Sequence, residues 1–270
     1  MNAQMLELVA GPLRAMRRAT VWWSVGLAAL IAGTMSVWPA FRGSSGISQA
    51  IDQLPSGVVQ AFGLADFGTP AGFLRANLYD FFVPLLLAAA AVLFVNGQTA
   101  GEEASGRMEL YLAQPISRRA GLVGRVIAAL IALAVISVVL LAAQLASDAA
   151  FDLRIDTGFV LSTIVLSGLL AALHGSLAVA VAVAGIRGRP SLVLAIGIGV
   201  AIAGCVVASL FPLSSVLAPW RHISPWDWAF GGNPLEQATE LWRYLALAVP
   251  SVILTAIGVF AVARRDISGA

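Results

Sequence analysis

Lysine is absent from this chain of 270 residues, cysteine occurs once and histidine twice. Without lysine the chain has no P-loop, in which a lysine reaches the β- and γ-phosphates of a nucleotide. One cysteine excludes a disulfide within the chain. One cysteine with two histidines is also too few for an ordinary structural zinc site, which takes about four ligands. The sequence therefore excludes a self-sufficient P-loop ATPase and a Cys/His zinc module, and we expect no cofactor or metal in this chain.

Charged residues are also scarce. They make up 11% of the chain, hydrophobic residues make up 59%, and the mean hydropathy is +0.89. A soluble globular domain carries about 25% charged residues, so this chain has too few to cover a soluble surface, whereas lipid tolerates such a composition. The formal net charge of +2 is too small to indicate a nucleic-acid partner.

Six stretches without any charged residue divide the chain, and they are 20 to 31 residues long. A helix needs about 20 apolar residues to cross the hydrocarbon of a bilayer. The sequence therefore predicts an all-α membrane protein with six transmembrane helices, in a single domain that covers 1–270. We place the spans at about 21–41, 79–100, 119–147, 158–186, 190–213 and 244–263. The first apolar run lacks a cleavage site followed by a soluble domain, so we interpret it as a retained span rather than a signal peptide.

The arginines predict the orientation. When the flanks of the spans are assigned alternately to two sides, one side holds 11 arginines and the other holds five. The positive-inside rule places the richer side, with both termini, in the cytoplasm. All seven tryptophans lie at the ends of the predicted spans or just beyond them. Because indole rings prefer the headgroup boundary, this placement agrees with the predicted spans.

Three regions outside the spans have recognisable patterns. Residues 1–20 alternate apolar and basic positions, which is typical of an amphipathic helix on the inner leaflet or, alternatively, of a frayed terminus. Residues 42–77 are punctuated by proline and glycine, and we expect one or two short helices there on the outer surface. Residues 214–243 contain three prolines and two glycines, which favours short interfacial helices and turns.

The cytoplasmic loop 98–121 has an ordered pattern. Thr99 and Glu102 have the spacing of a capping box, Gly106 permits a change of chain direction, and Ser117 is placed to cap the third span. Between them lies a short apolar turn with charged residues interleaved. The turn comprises Arg107, Met108, Glu109, Leu110, Tyr111 and Leu112, and Pro115 ends it. The loop therefore predicts a short amphipathic helix held between two spans. The alternative is an ordinary solvated loop, but a simple connection is short, whereas this one has an ordered pattern over about 20 residues.

A few polar residues inside the spans are candidates for function. His174 lies within the fourth charge-free stretch, and an ionisable group in the membrane is a functional candidate by default. Its neighbours Gly175 and Ser176 favour packing, with a neutral histidine donating one hydrogen bond. Asn96 and Gln144 lie near the ends of the second and third spans. They either line a translocation path or form hydrogen bonds between helices, and we favour the second interpretation.

Other patterns are weaker. Asp148, Asp152 and Asp156 recur every four residues, but a calcium site would need more oxygen ligands and a suitably placed glycine, so we interpret them as an acidic helix end. No HExxH or GxSxG motif occurs. The fifth span carries two rows of small residues at spacing four, which permit close helix packing. The rows are Ala195, Gly199 and Ala203, and Gly197, Ala201 and Cys205.

The stretch GEEASGRMELYLAQPISRRAGLVGR resembles the cytoplasmic loop of bacterial ABC type 2 transporter permeases. In that family an acidic pair precedes a glycine, a Glu-Leu turn, a proline, a Ser-Arg pair and a basic residue that begins the third span. The upstream stretch LPSGVVQAFGLADFGTPAGFLRA is similar to the first outer loop of these permeases. The matching positions in the cytoplasmic loop are Glu102, Glu103, Gly106, Glu109, Leu110, Pro115, Ser117, Arg118 and Arg125.

The resemblance implies a permease subunit of an ATP-driven exporter in the bacterial plasma membrane, paired with a second permease subunit, either a copy or a paralogue. A separate cytoplasmic ABC ATPase would bind ATP and Mg²⁺, and this chain would not be an enzyme. The cargo would be amphiphilic or hydrophobic, such as a drug, an antibiotic or a lipid. The implied ATPase coupling interface comprises Glu102, Glu103, Arg107, Met108, Glu109, Leu110, Tyr111, Pro115 and Arg118. The N-terminus departs from the family because Glu7 lacks the adjacent lysine often found there.

Two alternatives remain at this level. An intramembrane enzyme with His174 as its base would need several polar groups at similar depth on facing spans, and the sequence offers few. A membrane assembly or signalling protein that is coupled to an ATPase but does not transport would share the same cytoplasmic loop. ATP turnover stimulated by cargo would distinguish transport from both alternatives.

Overall fold

The computed structural model describes residues 3–42, 45–61, 63–106, 117–184 and 189–264. Within these ranges all regular secondary structure is helical, and six helical segments are long and apolar enough to cross a membrane. From the first span to the sixth, they are Ala3–Phe41, Pro70–Ala104, Arg118–Phe151, Thr157–Val183, Pro190–Leu210 and Leu241–Val262. The predicted all-α membrane fold with six transmembrane helices is confirmed.

Side-chain caps define where three of the spans begin. The side-chain oxygens of Thr69, Ser117 and Asp156 each accept a hydrogen bond from a backbone N–H in the first turn of the following helix, at 3.0, 3.2 and 2.8 Å. Such a cap satisfies an N–H group that has no partner within the helix. The predicted cap of the third span by Ser117 is confirmed.

The first span differs from the sequence-based expectation. Residues 3–20, expected to form a separate amphipathic segment, are the first half of one helix of 39 residues, Ala3–Phe41. Neither glycine nor proline lies between Arg18 and Val21, so no local signal ends the helix before the apolar run begins. Val9 and Met16 in this first half are buried. The N-terminal segment is therefore continuous with the first span.

The second span begins earlier than its charge-free stretch. Helix Pro70–Leu74 continues as a π-helical turn, Arg75–Tyr79, and then as Phe82–Gln98 and Ala100–Ala104. Arg75 Nε lies 3.4 Å from Asp80 Oδ2, and its Nη1 lies 3.5 Å from Glu236 Oε2. Because these charges are paired, the helical run can include them, whereas a charge-free window excludes them.

Short helices occupy the outer connections. Ser45–Asp52 and Ser56–Ala61 lie between the first and second spans, where one or two short helices were predicted. The connection between the fifth and sixth spans contains the 3₁₀ turns Phe211–Leu213 and Ala218–Ile223 and the helix Pro225–Phe230. These elements match the short helices and turns expected there from the prolines and glycines.

The spans pack in a defined order, and glycines permit the closest approaches. The first span packs along the third, the second against the fourth, the fourth against the sixth, and the fifth against the second and fourth. A Cβ added to Gly124 of the third span would lie 2.6 Å from the carbonyl oxygen of Leu8 in the first span. A Cβ on Gly197 of the fifth span would lie 2.7 Å from Val92 in the second.

We predict that Gly124→Ala lowers the thermal unfolding midpoint of the protein purified in detergent. The added methyl group meets the backbone of Leu8, which cannot move away as a flexible side chain could. Overpacking costs about 1–3 kcal/mol, and 1 kcal/mol shifts the midpoint of a chain of this size by about 2–4 °C, so we expect a fall of roughly 2–10 °C. Gly121→Ala, in the same helix with no atom within 4 Å of the added Cβ, is the matched control. An equal change in both variants would contradict the close contact between the first and third spans.

Candidate functional site

A buried ion pair joins the second and third spans at the ends that the positive-inside rule assigns to the cytoplasm. Arg125 Nη2 donates a hydrogen bond to Glu102 Oε2 at 3.0 Å, and each side chain is only 10% exposed. The two residues are 23 positions apart and lie on either side of the loop that resembles the permease coupling loop. Charge-assisted hydrogen bonds of this kind are stronger than neutral ones, and breaking one inside a protein leaves an unpaired buried charge. The pair therefore ties the two spans together at the point where the loop leaves and returns.

The predicted capping box at this point is wrong. Thr99 Oγ1 donates to the carbonyl oxygen of Val95 at 2.7 Å, and no side-chain hydrogen bond caps Ala100–Ala104. The capping box would have used the carboxylate of Glu102 for a backbone N–H. Arg125 instead offers that carboxylate a full positive charge, and its presence 23 residues later is invisible to a rule based on local spacing.

The predicted coupling interface is only partly within the described residues. Glu103 and Arg118 are half-buried and lie at the two ends of the loop. Gly106 has φ of +73°, a left-handed conformation that favours glycine, which agrees with the change of chain direction predicted there. The remaining predicted coupling residues, Arg107, Met108, Glu109, Leu110, Tyr111 and Pro115, lie outside the ranges that the structure describes.

The start of the third span also contacts the sixth span. The guanidinium carbon of Arg119 lies 5.4 Å from the centroid of the Phe260 ring, within range of a cation–π interaction. The loop thus returns to the bundle where Ser117 caps the helix, Arg119 contacts the sixth span and Arg125 contacts the second. Movement of the returning end of the loop would be transmitted to three spans.

Gln144 forms a hydrogen bond between helices. Its Oε1 accepts from the hydroxyl of Tyr79 at 3.0 Å, and both side chains are fully buried. The bond joins the third span to the π-helical turn at the outer part of the second span. Gln144 Nε2 has no hydrogen-bond partner among the residues described. Helix-to-helix bonding is the interpretation that we favoured from the sequence.

Asn96 lies near the opposite, cytoplasmic end of the second span. It is buried, and its Oδ1 has no hydrogen-bond partner in the described part of the chain. Asn96 follows Val92 by four residues, and Val92 packs on Gly197, so both lie on the face of the helix toward the fifth span. This carbonyl oxygen is therefore a buried acceptor that the described residues leave unused.

His174 lies in the middle of the fourth span, in contact with the outer connection. Its Nδ1 is 2.8 Å from the carbonyl oxygen of Leu170, which assigns the proton to Nδ1, and its ring meets that of Trp226 edge-on at 5.6 Å between centroids. Both side chains are buried. The structure therefore places His174 at a different height from Gln144 and Asn96, and the three residues do not form one site.

The tryptophan pattern predicted the wrong position for Trp226. We expected every tryptophan near the membrane boundary, but Trp226 is buried beside His174 in the bundle. It belongs to the short helix Pro225–Phe230, whose cap Ser224 donates its hydroxyl to the carbonyl oxygen of Gly204 at 2.6 Å. The outer connection therefore enters the bundle between the fourth and fifth spans.

Charged contacts fix this inserted helix at its outer side. The Asp227 carboxylate accepts from His222 Nδ1 at 2.7 Å and lies 3.4 Å from Arg221 Nε. Arg243 Nη1 at the start of the sixth span donates to the carbonyl oxygens of Asp227 and Trp228 at 3.0 and 3.1 Å. These contacts close the outer end of the bundle around the inserted helix.

The three spaced aspartates have structural roles. Asp148 Oδ1 accepts from the N–H of Ile155, and Asp156 caps the fourth span. Asp152 forms two hydrogen bonds with Arg154, and these lower the pKa of Asp152 below its usual value. Among the described residues no group of three metal-ligating side chains is present. The residues form a helix end and a turn, as the sequence indicated.

Comparison with known proteins identifies the family. Residues 9–262 match the family described as "Multidrug efflux system permease Rv1217c, C-terminal domain". No curated protein matches the chain. The match covers nearly the whole chain, and the six apolar helices fit the ABC type 2 permease predicted from the cytoplasmic loop. The chain is therefore a multi-pass membrane protein that belongs to this family of multidrug efflux permeases.

Proposed function

We propose that this chain is the transmembrane subunit of an ATP-driven exporter in the bacterial plasma membrane, with both termini in the cytoplasm. A separate ABC ATPase binds ATP and Mg²⁺ and hydrolyses the nucleotide, and this chain catalyses no covalent step. The permease family and the 11 to 5 asymmetry of the arginines support this assignment. ATP-driven, cargo-stimulated transport in vesicles, with ATP turnover measured in parallel, tests it against a non-transporting assembly or signalling role.

The Glu102–Arg125 ion pair is the observation that carries the coupling mechanism. The loop leaves the second span just after Glu102 and re-enters the bundle at Ser117, eight residues before Arg125. Because the pair bridges residues on either side of the loop, the second and third spans are joined directly where the loop begins and ends. A force that the ATPase applies to residues 102–118 would then move the second and third spans together.

Transport also requires a second permease unit in this proposal. The cavity enclosed by the second, third and fourth spans has a volume of about 20 Å³, whereas a drug-sized ligand needs a pocket of about 300–1,000 Å³. This cavity is therefore too small to be the path, and the resemblance to paired permease subunits implies a path between two six-span units. The matched family is described as the C-terminal domain of a permease, so in its namesake this unit is one part of a longer chain.

The cargo is amphiphilic or hydrophobic. The charge-free stretches leave small, apolar and weakly polar side chains to line a path through the membrane. Asn96, with its unpartnered carbonyl oxygen, is one polar group able to contact such a cargo. His174 is instead enclosed by Leu170 and Trp226, which argues against a role as a catalytic base.

The proposed orientation predicts which positions accept a membrane-impermeant thiol reagent. In a Cys205→Ala background, cysteines placed at Ser45, Asp152 or Gly232 should react from outside intact cells. Cysteines at Ser105 or Ser268 should react only after the membrane is permeabilised. Labelling of position 268 in intact cells would refute the cytoplasmic C-terminus.

Leu110→Asp should weaken assembly with the ATPase subunit. Burial of apolar surface contributes about 25 cal/mol per Å², and an aspartate in an apolar contact removes that contribution and adds a desolvation cost. Co-purification of the two subunits measures the effect, and we expect roughly a tenfold loss or more. Leu217→Asp, at an exposed leucine in the outer connection, is the control and should leave assembly unchanged. Normal assembly and transport with Leu110→Asp would show that this loop is not the docking site.

The ion pair gives a prediction that can be tested by charge exchange. Glu102→Gln should reduce transport, because it removes the charge-assisted hydrogen bond that joins the second span to Arg125 of the third. Glu102→Arg combined with Arg125→Glu restores opposite charges and should recover part of the transport that either single reversal loses. Transport per ATP hydrolysed, in variants matched for insertion and thermal stability, is the measurement. No recovery in a well-folded double variant would remove the pair from the coupling mechanism.

A further inference from the structure

A groove lies on the lipid-facing side of the bundle, between the first and second spans. It has a volume of about 510 Å³ and is lined by Ala19, Trp22, Trp23, Gly26, Leu27 and Leu86. Trp22 is 74% exposed, and a Cβ built on Gly26 meets no atom within 4 Å. The groove, here called the tryptophan groove, is therefore open to the bilayer and wide enough to hold an alkyl chain.

Two arginines lie at the cytoplasmic end of the tryptophan groove. Arg14, Arg18, Trp22 and Gly26 follow one another at intervals of four, so each lies about 40° around the helix from the next and together they form an inclined stripe along the first span. Both arginines are exposed, and neither lies within 4.0 Å of a carboxylate of the described residues. The stripe thus has two positive charges without a carboxylate partner among the described residues, and the apolar groove begins one helical turn further along the span.

The outer side of the membrane provides a contrast. The guanidinium carbon of Arg243 lies 4.6 Å from the centroid of the Trp242 ring. Glu240 Oε2 lies 3.5 Å from Arg243 Nε and accepts a hydrogen bond from the indole N–H of Trp242 at 2.7 Å. At that arginine–tryptophan pair the chain itself supplies the negative charge. At Arg18 and Trp22 the described chain supplies none, so an anion from outside the chain would complete the arrangement.

We propose that the tryptophan groove binds an anionic phospholipid of the inner leaflet as a resident lipid. Arg18 and Arg14 bind the phosphate, since guanidinium groups form paired hydrogen bonds with phosphate oxygens. An acyl chain lies over Gly26 between Trp22 and Leu86. Basic pockets at the cytoplasmic side of transmembrane helices favour anionic headgroups for this reason. This inference rests on the proposed orientation in one respect only, because the orientation decides which leaflet supplies the lipid.

The matched control lies on the same helix. Arg17 is also exposed, but it is offset from Trp22 by five residues, about 140° around the helix. It lies on the other side of the face buried by Met16 and Thr20, away from the groove. General attraction of anionic lipid to basic residues would involve Arg17 as much as Arg18, whereas the proposed site would not.

Lipid binding to the purified protein in detergent tests the proposal. Native mass spectrometry with added phosphatidylglycerol or phosphatidylcholine should show phosphatidylglycerol retained selectively. Arg14→Gln with Arg18→Gln should weaken its binding roughly tenfold or more, and Arg17→Gln should leave it unchanged. Gly26→Leu places a bulky apolar side chain in the open groove without changing charge, and its Cβ meets no neighbour. It should weaken binding independently and covers the case in which the double variant does not fold.

Three outcomes of the binding measurement would overturn the proposal. They are equal retention of the two lipids, an equal loss with Arg17→Gln, and unchanged binding in a folded Gly26→Leu protein. ATP-driven transfer of phosphatidylglycerol between leaflets would identify the lipid as cargo and also overturn its assignment as a resident. The binding measurement needs neither ATPase nor transport, so its failure is distinguishable from failure of the proposed function.

Discussion

Opposite charges pair at both ends of this helix bundle, and the low dielectric of a membrane protein makes that pairing a condition for the fold. An isolated charge inside such a bundle costs several kcal/mol, and a hydrogen-bonded partner offsets much of that cost. Arg125 is buried with Glu102 at the end that we assign to the cytoplasm, and Arg75 lies against Asp80 and Glu236 at the other end. The second span takes part in both pairings. Its two ends are therefore fixed to different neighbours, so it is the element through which a movement at one end reaches the other.

The middle of the bundle is held differently. Gly197 of the fifth span and Gly175 of the fourth both face the second span closely, since an added Cβ would lie 2.7 Å from Val92 and 3.3 Å from Ala91. Contacts of this kind depend on shape, and they contain few hydrogen bonds that would define one position along the helix axis. A bundle with directional contacts at its ends and smooth packing in its middle permits spans to slide or tilt as units. That property suits a permease, in which the ends must receive a force and the middle must open a path.

The sequence predicted the features that depend on local composition. Charge-free stretches located six spans, and a serine followed by a helical run located the cap at Ser117, because both signals act over one helix or one turn. The capping box at Thr99 failed since the partner of Glu102 is Arg125, brought near only by the fold. The beginning of the second span was missed partly for a similar reason, because Arg75 pairs with Glu236 from the far end of the chain as well as with nearby Asp80. Local sequence patterns do not show which charges pair across long sequence distances.

The fifth span shows the same limit in its packing. Its two rows of small residues are indistinguishable by spacing, yet the row that contains Gly197, Ala201 and Cys205 is buried while Ala195, Gly199 and Ala203 are exposed. The choice depends on what the neighbours present. Val92 projects onto Gly197, and the inserted helix brings Trp226 within 3.5 Å of a Cβ built on Gly204. Because Trp226 must be buried against the fourth and fifth spans, it determines which side of the fifth span faces inward. The rotation of that span is thus set by an outer connection that the sequence assigned to the membrane surface.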